Sequence, residues 1–232
     1  MKAWIPNLLT LLNLFCGCLA IVYALNGDLY YVPYLVLIAA FADFFDGFVA
    51  RWLKVSSSLG LQLDSLADMV TFGVVPGVVL FELLKQSYPP ETSILYLAPA
   101  FIFTLFAAIR LAKFNIDTRQ TDGFLGLPTP SSTLLIISLA YIADTNYMGL
   151  QVYLLQPLFL YLLTIVLSWM MVAEFPLFSM KFKSVGWYGN ETRFIFMLLG
   201  FSLLGIMGFA SAPPTIVLYF LLSFIYYRKD IL

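Results

Sequence analysis

The chain has 232 residues, of which 62% are hydrophobic and 11% charged, with a formal net charge of −1. Soluble domains carry roughly 45–50% apolar and about 25% charged residues, so too few charges remain to solvate a globular surface and lipid must be the solvent. The near-neutral balance offers nothing to nucleic acid, and with no histidine in the chain, carboxylates are left to carry any metal or acid–base chemistry.

Apolar runs long enough to cross about 30 Å of hydrocarbon predict eight spans, at 8–25, 30–51, 61–84, 94–113, 131–145, 151–173, 193–210 and 212–228. The expected fold is an all-α polytopic membrane protein, a single membrane domain over 1–232 with no internal repeat. The first run lacks a preceding basic cluster and a small-residue cleavage site, so no cleavable signal is expected. Within it, Asn7, Thr10, Asn13 and Gly17 recur at about helical spacing, consistent with capping and interhelical hydrogen bonds. Cys16 and Cys18 sit in the same run and read as small packing residues. Residues 174–192, with Lys181, Lys183 and Trp187, read as an interfacial loop, and the tightest hairpin is expected at Ala212-Pro213-Pro214.

Eight spans put both termini on one side. That side holds Lys2, Arg51, Lys54, Arg110, Lys113, Arg119, Lys181, Lys183, Arg193, Arg228 and Lys229, and the other holds only Lys85. By the positive-inside rule the basic side, termini included, faces the cytoplasm.

The second span contains Asp43 and Asp46 and ends at Arg51; the third begins near Gly60 and contains Asp64 and Asp68. A charged group near the centre of a spanning helix costs on the order of 3 kcal/mol, so four would cost roughly 10 kcal/mol without compensation. At 100° per residue, Asp43, Asp46, Gly47, Ala50 and Arg51 share one face, as do Gly60, Asp64 and Asp68. Counted from Arg51, Asp46 lies roughly 7 Å and Asp43 roughly 12 Å into the membrane; counted from Gly60, Asp64 lies about 6 Å and Asp68 about 12 Å in. Antiparallel neighbours would thus bring the four carboxylates to matching depths, where cations must bridge them. Oxygen-only ligation suits Mg²⁺, Mn²⁺ or Ca²⁺, and Gly47, Ala50 and Gly60 leave room beside the acidic faces.

Residues 43–68 read D-F-F-D-G-F-V-A-R, eight residues, then G-L-Q-L-D-S-L-A-D. This resembles the signature of the CDP-alcohol phosphatidyltransferases, D-x₂-D-G-x₂-A-R-x₈-G-x₃-D-x₃-D, at every fixed position. The resemblance implies a core of six membrane helices open to the cytoplasm, commonly in a homodimer, with the two C-terminal helices as an addition. It implies two divalent ions held by Asp43, Asp46, Asp64 and Asp68, with Asp68 also the catalytic general base. It implies a CDP site lined by Gly47, Ala50, Arg51 and Gly60. Two further stretches, P-N-L-L-T-L-L-N-L-F-C-G at 6–17 and R-L-A-K-F-N at 110–115 followed by G-F-L-G-L-P-T-P-S-S at 123–132, are similar to the phosphatidylserine synthase branch. Through them Pro6, Asn7 and Thr10 join the expected CDP-lipid site.

That branch implies a CDP-lipid donor, with diacylglycerol or archaeol tails, and L-serine as acceptor. A serine carboxylate would pair with Arg110 or Lys113, ideally through a bidentate guanidinium contact, and Asn13, Asn115 or Thr129 could bind its ammonium. Glycerol 3-phosphate and inositol phosphate are the alternative acceptors, with Lys113, Arg119 and Lys54 available for their extra charge. A cation transporter is the contrasting class, disfavoured because the aspartates cluster toward one face and transporter sites lie near the midplane at a repeat interface.

Overall fold

The fold is organised around a broken helix. In the computed structural model, which describes residues 4–55, 57–116, 123–178 and 186–229, the third helix, α3 (Ser58–Ser87), is buried over most of its apolar length. Before it come α1 (Trp4–Leu25) and α2 (Val32–Leu53); after it come α4 (Ile94–Ile116), α5 (Thr129–Asp144), α6 (Pro157–Val172), α7 (Glu191–Met207) and α8 (Ala212–Lys229). These eight helices match the eight expected spans. Four of them (α1 to α4) and the continuous stretch Glu191–Tyr227 are long and apolar enough to cross a membrane, and Pro157–Val172 is apolar but shorter. The protein is therefore all-α and integral to the membrane, apart from a small antiparallel ribbon that pairs β1 (Gly123–Leu125) with β2 (Pro176–Phe178).

The break in α3 follows from its sequence. Pro76 has no N–H to donate to the carbonyl of residue 72, and the helix widens into a π turn over Met69–Val74. In lipid the freed carbonyls need partners. Thr133 of α5 donates to Phe72 O at 2.9 Å, and Thr104 of α4 donates to Gly73 O at 2.9 Å. Around this point the core closes with Phe72, Leu80, Leu83 and Leu84 of α3, Phe103 of α4, Ile136 and Ile137 of α5, and Leu160 of α6.

Two expected boundaries move. The span expected at 151–173 divides into a short turn at Gln151–Leu154 and α6, because Gln156 is extended and Pro157 opens the helix; a proline is well placed in a first helical turn and poorly placed inside one. The last hairpin turns at Gly208–Ser211, before Ala212-Pro213-Pro214, which forms the first turn of α8. Gly208 has φ +55°, a backbone state open to glycine at little cost. The two arms then run antiparallel, with Phe196 against Tyr219 and the Arg193 guanidinium over the Tyr226 ring. In the stretch read as an interfacial loop, Leu177 and Phe178 are buried and Trp187 is exposed; Lys2, Arg119, Lys181 and Lys183 lie outside the described residues.

Candidate functional site

The turn between α2 and α3 sets the acidic residues facing one another. Lys54 takes a left-handed conformation and ends α2, its N–H meeting Ala50 O and Arg51 O. Ser57 then caps α3, its hydroxyl accepting from Gly60 N at 2.9 Å, which satisfies one of the free donors at a helix start. Helix α1 packs against both α2 and the first half of α3. Its buried face carries Asn7, Thr10, Asn13 and Gly17, the four residues singled out by their spacing.

Asp43, Asp64 and Asp68 meet as expected, with one carboxylate oxygen from each within 4.8 Å of the others. Each is half-buried. Three negative groups so close in a low dielectric repel strongly, and an all-oxygen donor set of this kind fits a hard divalent cation. Among the described residues, these three are grouped closely enough to hold one together. Asp46 stands apart from the trio. It is buried, and its Oδ2 accepts a hydrogen bond from the Thr10 hydroxyl.

Asp46 and Asp64 open onto a cleft of about 200 Å³ lined by Pro6, Asn7, Thr10, Gly47, Ala50, Val55, Ser57, Gly60 and Leu61. All but one of the residues expected to bind the CDP-lipid are in this wall. The remaining one, Arg51, is exposed and folds back over Gly47, its guanidinium lying 3.4 Å from where a Gly47 Cβ would stand. Gly60 is closely approached: a Cβ there would lie 3.0 Å from both Asn7 Oδ1 and Ser57 Oγ, which would have to give way by a few tenths of an ångström.

The residues expected to bind the acceptor divide. Arg110 is buried, and its NH1 donates to Thr129 Oγ1 at 3.3 Å. Asn115 Nδ2 donates to Ser65 Oγ at 2.9 Å, Ala107 abuts Gly73, and Thr104 abuts Gly77. That antiparallel register of α4 on α3 sets Arg110 at the level of residue 70, two residues beyond Asp68 along the helix. Lys113 is exposed. Asn13 is fully buried against the acidic trio, its Nδ2 donating to Asp68 Oδ1 at 3.3 Å. Sequence reasoning missed Ser57, readable as a helix cap, and Thr71, a buried hydroxyl three residues beyond Asp68 that reaches Asn13.

A sequence model described as CDP-alcohol phosphatidyltransferase matches residues 3–176, a range that holds α1 to α6 and ends before the α7–α8 hairpin. A CDP-diacylglycerol–serine O-phosphatidyltransferase of Helicobacter pylori is 33% identical over 202 residues, covering 85% of this chain and 80% of that protein. One of Bacillus subtilis is 31% identical over 178 residues, 76% of this chain and 92% of that protein. One of Methanocaldococcus jannaschii is 35% identical over 141 residues, 61% and 62% of the two chains. The acidic trio, the small-residue cleft beside it and this match over three-quarters of the sequence agree: the chain belongs to the CDP-alcohol phosphatidyltransferase family.

Proposed function

We propose that this protein transfers the phosphatidyl group of a CDP-linked lipid to the hydroxyl of L-serine and releases CMP, a step of phospholipid biosynthesis. The meeting of Asp43, Asp64 and Asp68 beside a small-residue cleft carries this conclusion. The serine acceptor is supported by the buried Arg110 and by the relatives, whose names specify serine.

Two divalent cations, Mg²⁺ or Mn²⁺, held by Asp43, Asp46, Asp64 and Asp68, would offset the carboxylates' repulsion and neutralise charge on a pyrophosphate. The chain's own groups do the rest. The cleft between Asn7, Gly47, Ala50 and Gly60 receives the nucleotide, and Arg51 at its mouth binds phosphate oxygens. Arg110 holds the serine carboxylate. Asp68 takes the proton of the serine hydroxyl, whose oxygen attacks the lipid-bearing phosphorus; the bond from that phosphorus to the CMP oxygen breaks, and CMP leaves. Phosphoryl transfer needs positioning and charge neutralisation more than covalent help, and direct displacement is the simplest course. Inversion at phosphorus would agree with it and retention would exclude it.

The asymmetry of basic residues supports a cytoplasmic site and cytoplasmic termini. The α7–α8 hairpin would be an addition to a six-helix core within one membrane domain, and the working form a homodimer. The test is CMP release by purified protein given CDP-diacylglycerol or CDP-archaeol with serine, glycerol 3-phosphate or inositol phosphate. Release with serine is expected. Release only with a phosphorylated alcohol would reassign the acceptor, and cation flux in vesicles without binding of CDP would reassign the class.

A further inference from the structure

Asp68 is reached through a relay of polar groups that lies outside the aspartate signature. Thr71 Oγ1 donates to Asn13 Oδ1 at 2.7 Å, and Asn13 Nδ2 donates to Asp68 Oδ1 at 3.3 Å. Asn13 and Thr71 are both fully enclosed, at 0% exposure. The direction of the relay follows from chemistry. An ionised carboxylate can only accept, so the amide nitrogen of Asn13 must face Asp68. Its oxygen is then left for Thr71, whose hydroxyl supplies the proton.

Two backbone features serve this contact. The π turn Met69–Val74 begins immediately after Asp68 and carries Thr71; such turns widen a helix and are frequent at functional sites. On the facing helix, a Cβ added at Gly17 would lie 2.5 Å from Thr71 Oγ1. Only glycine lets α1 come close enough for Thr71 to reach Asn13.

We infer that Asn13 and Thr71 are positioning residues that fix the orientation of the Asp68 carboxylate toward Asp43 and Asp64. The last torsion of an aspartate is broad and roughly two-fold, and repulsion from two neighbouring carboxylates would turn Asp68 away. A buried donor held from behind by a second hydroxyl selects one orientation. Asn13 therefore acts on the acceptor only through Asp68. The inference rests on the proposed reading in which Asp68 serves as base and metal ligand.

The decisive variants are Thr71→Val, which keeps the shape and removes the hydroxyl, Thr71→Ser, which returns it, and Gly17→Ala, which displaces Thr71 from the opposite helix. Loss of one orienting hydrogen bond is expected to lower kcat for CMP release about threefold to tenfold, with KM for CDP-lipid and serine unchanged. Thr71→Ser should recover wild-type kcat. Binding of Mn²⁺ alone, followed by electron paramagnetic resonance without substrates, should weaken by a similar factor in Thr71→Val and Gly17→Ala and recover in Thr71→Ser. A rise in serine KM at intact kcat in Asn13→Ala would make Asn13 an acceptor contact and overturn the inference. So would Mn²⁺ affinity unchanged in well-folded Thr71→Val. If the wild type releases no CMP with any acceptor, the proposed function fails while the Mn²⁺ measurements still decide the relay.

Discussion

Arg110 meets a hydroxyl where a buried guanidinium would ordinarily meet a carboxylate. Its NH1 donates to Thr129 Oγ1, and its Nε, also buried, has no hydrogen-bond partner among the described residues. An uncompensated buried charge costs several kcal/mol, so this position favours an incoming anion. Arg110→Ala is expected to raise the serine KM about thirtyfold or more, the loss of a charge-assisted hydrogen bond, while leaving the KM for CDP-lipid within about twofold. Steady-state kinetics with each substrate varied separately would check it. Arg110→Met should also raise the Tm of the substrate-free protein, because it removes the charge and keeps the volume.

The crowding of Asp43, Asp64 and Asp68 makes stability depend on cations. Anything that binds the folded state alone stabilises it, by about 2.7 kcal/mol at a hundredfold excess over Kd. Adding Mn²⁺ to chelator-treated protein should therefore raise its Tm and restore CMP release. Asp64→Asn should raise the cation-free Tm by relieving repulsion, blunt the Mn²⁺ response, and lower kcat at least about a hundredfold, the upper end for outer-shell partners of a metal site. Thermal scans with and without Mn²⁺ would separate these effects.

At Gly60 a Cβ would press on Asn7 Oδ1 and Ser57 Oγ, and a larger branched side chain has no room on that side. Gly60→Val should push this wall into the cleft and weaken nucleotide binding about tenfold or more, at the scale of an overpacked site costing 1–3 kcal/mol. Isothermal titration with CDP in the presence of Mn²⁺ gives that number directly. Serine recognition at Arg110 should be spared.

Thr133 lines no part of the cleft and serves the broken helix, its hydroxyl shared between Phe72 O, the carbonyl that Pro76 leaves free, and Thr129 O one turn earlier. Thr133→Val should destabilise the protein by about 1–3 kcal/mol, the cost of an unsatisfied buried acceptor, with both KM values unchanged. Thermal unfolding in detergent, set beside the kinetics, would show that split.

The aspartates were legible because their spacings of three and four residues match the helical period, and because charges are conspicuous in an apolar chain. Asn7 and Thr10 were legible for the same reason, as polar residues repeating in a membrane span. What lay beyond reading was pairing across distance. Pro76 announces a break in α3, but nothing local says that threonines 28 and 57 residues later, Thr104 and Thr133, will close it. The partners of Asn13, Asp68 and Thr71, come from another helix and could not be read from its own segment. Pro213-Pro214 suggested a turn when it marks a helix start, and the ribbon of Gly123–Leu125 with Pro176–Phe178 is too short to show an alternating pattern.

The bond from Thr10 to Asp46 also bears on how the protein reaches its membrane. Synthesis delivers α1 first, so a hydroxyl is already waiting at the right level when α2 arrives with an acidic group that lipid would otherwise reject. Asp68, on α3, likewise finds an amide on α1, that of Asn13. The first helix thus carries a polar partner for an acid on each of the two helices that follow it, α2 and α3, and losing either donor would leave a carboxylate facing lipid alone.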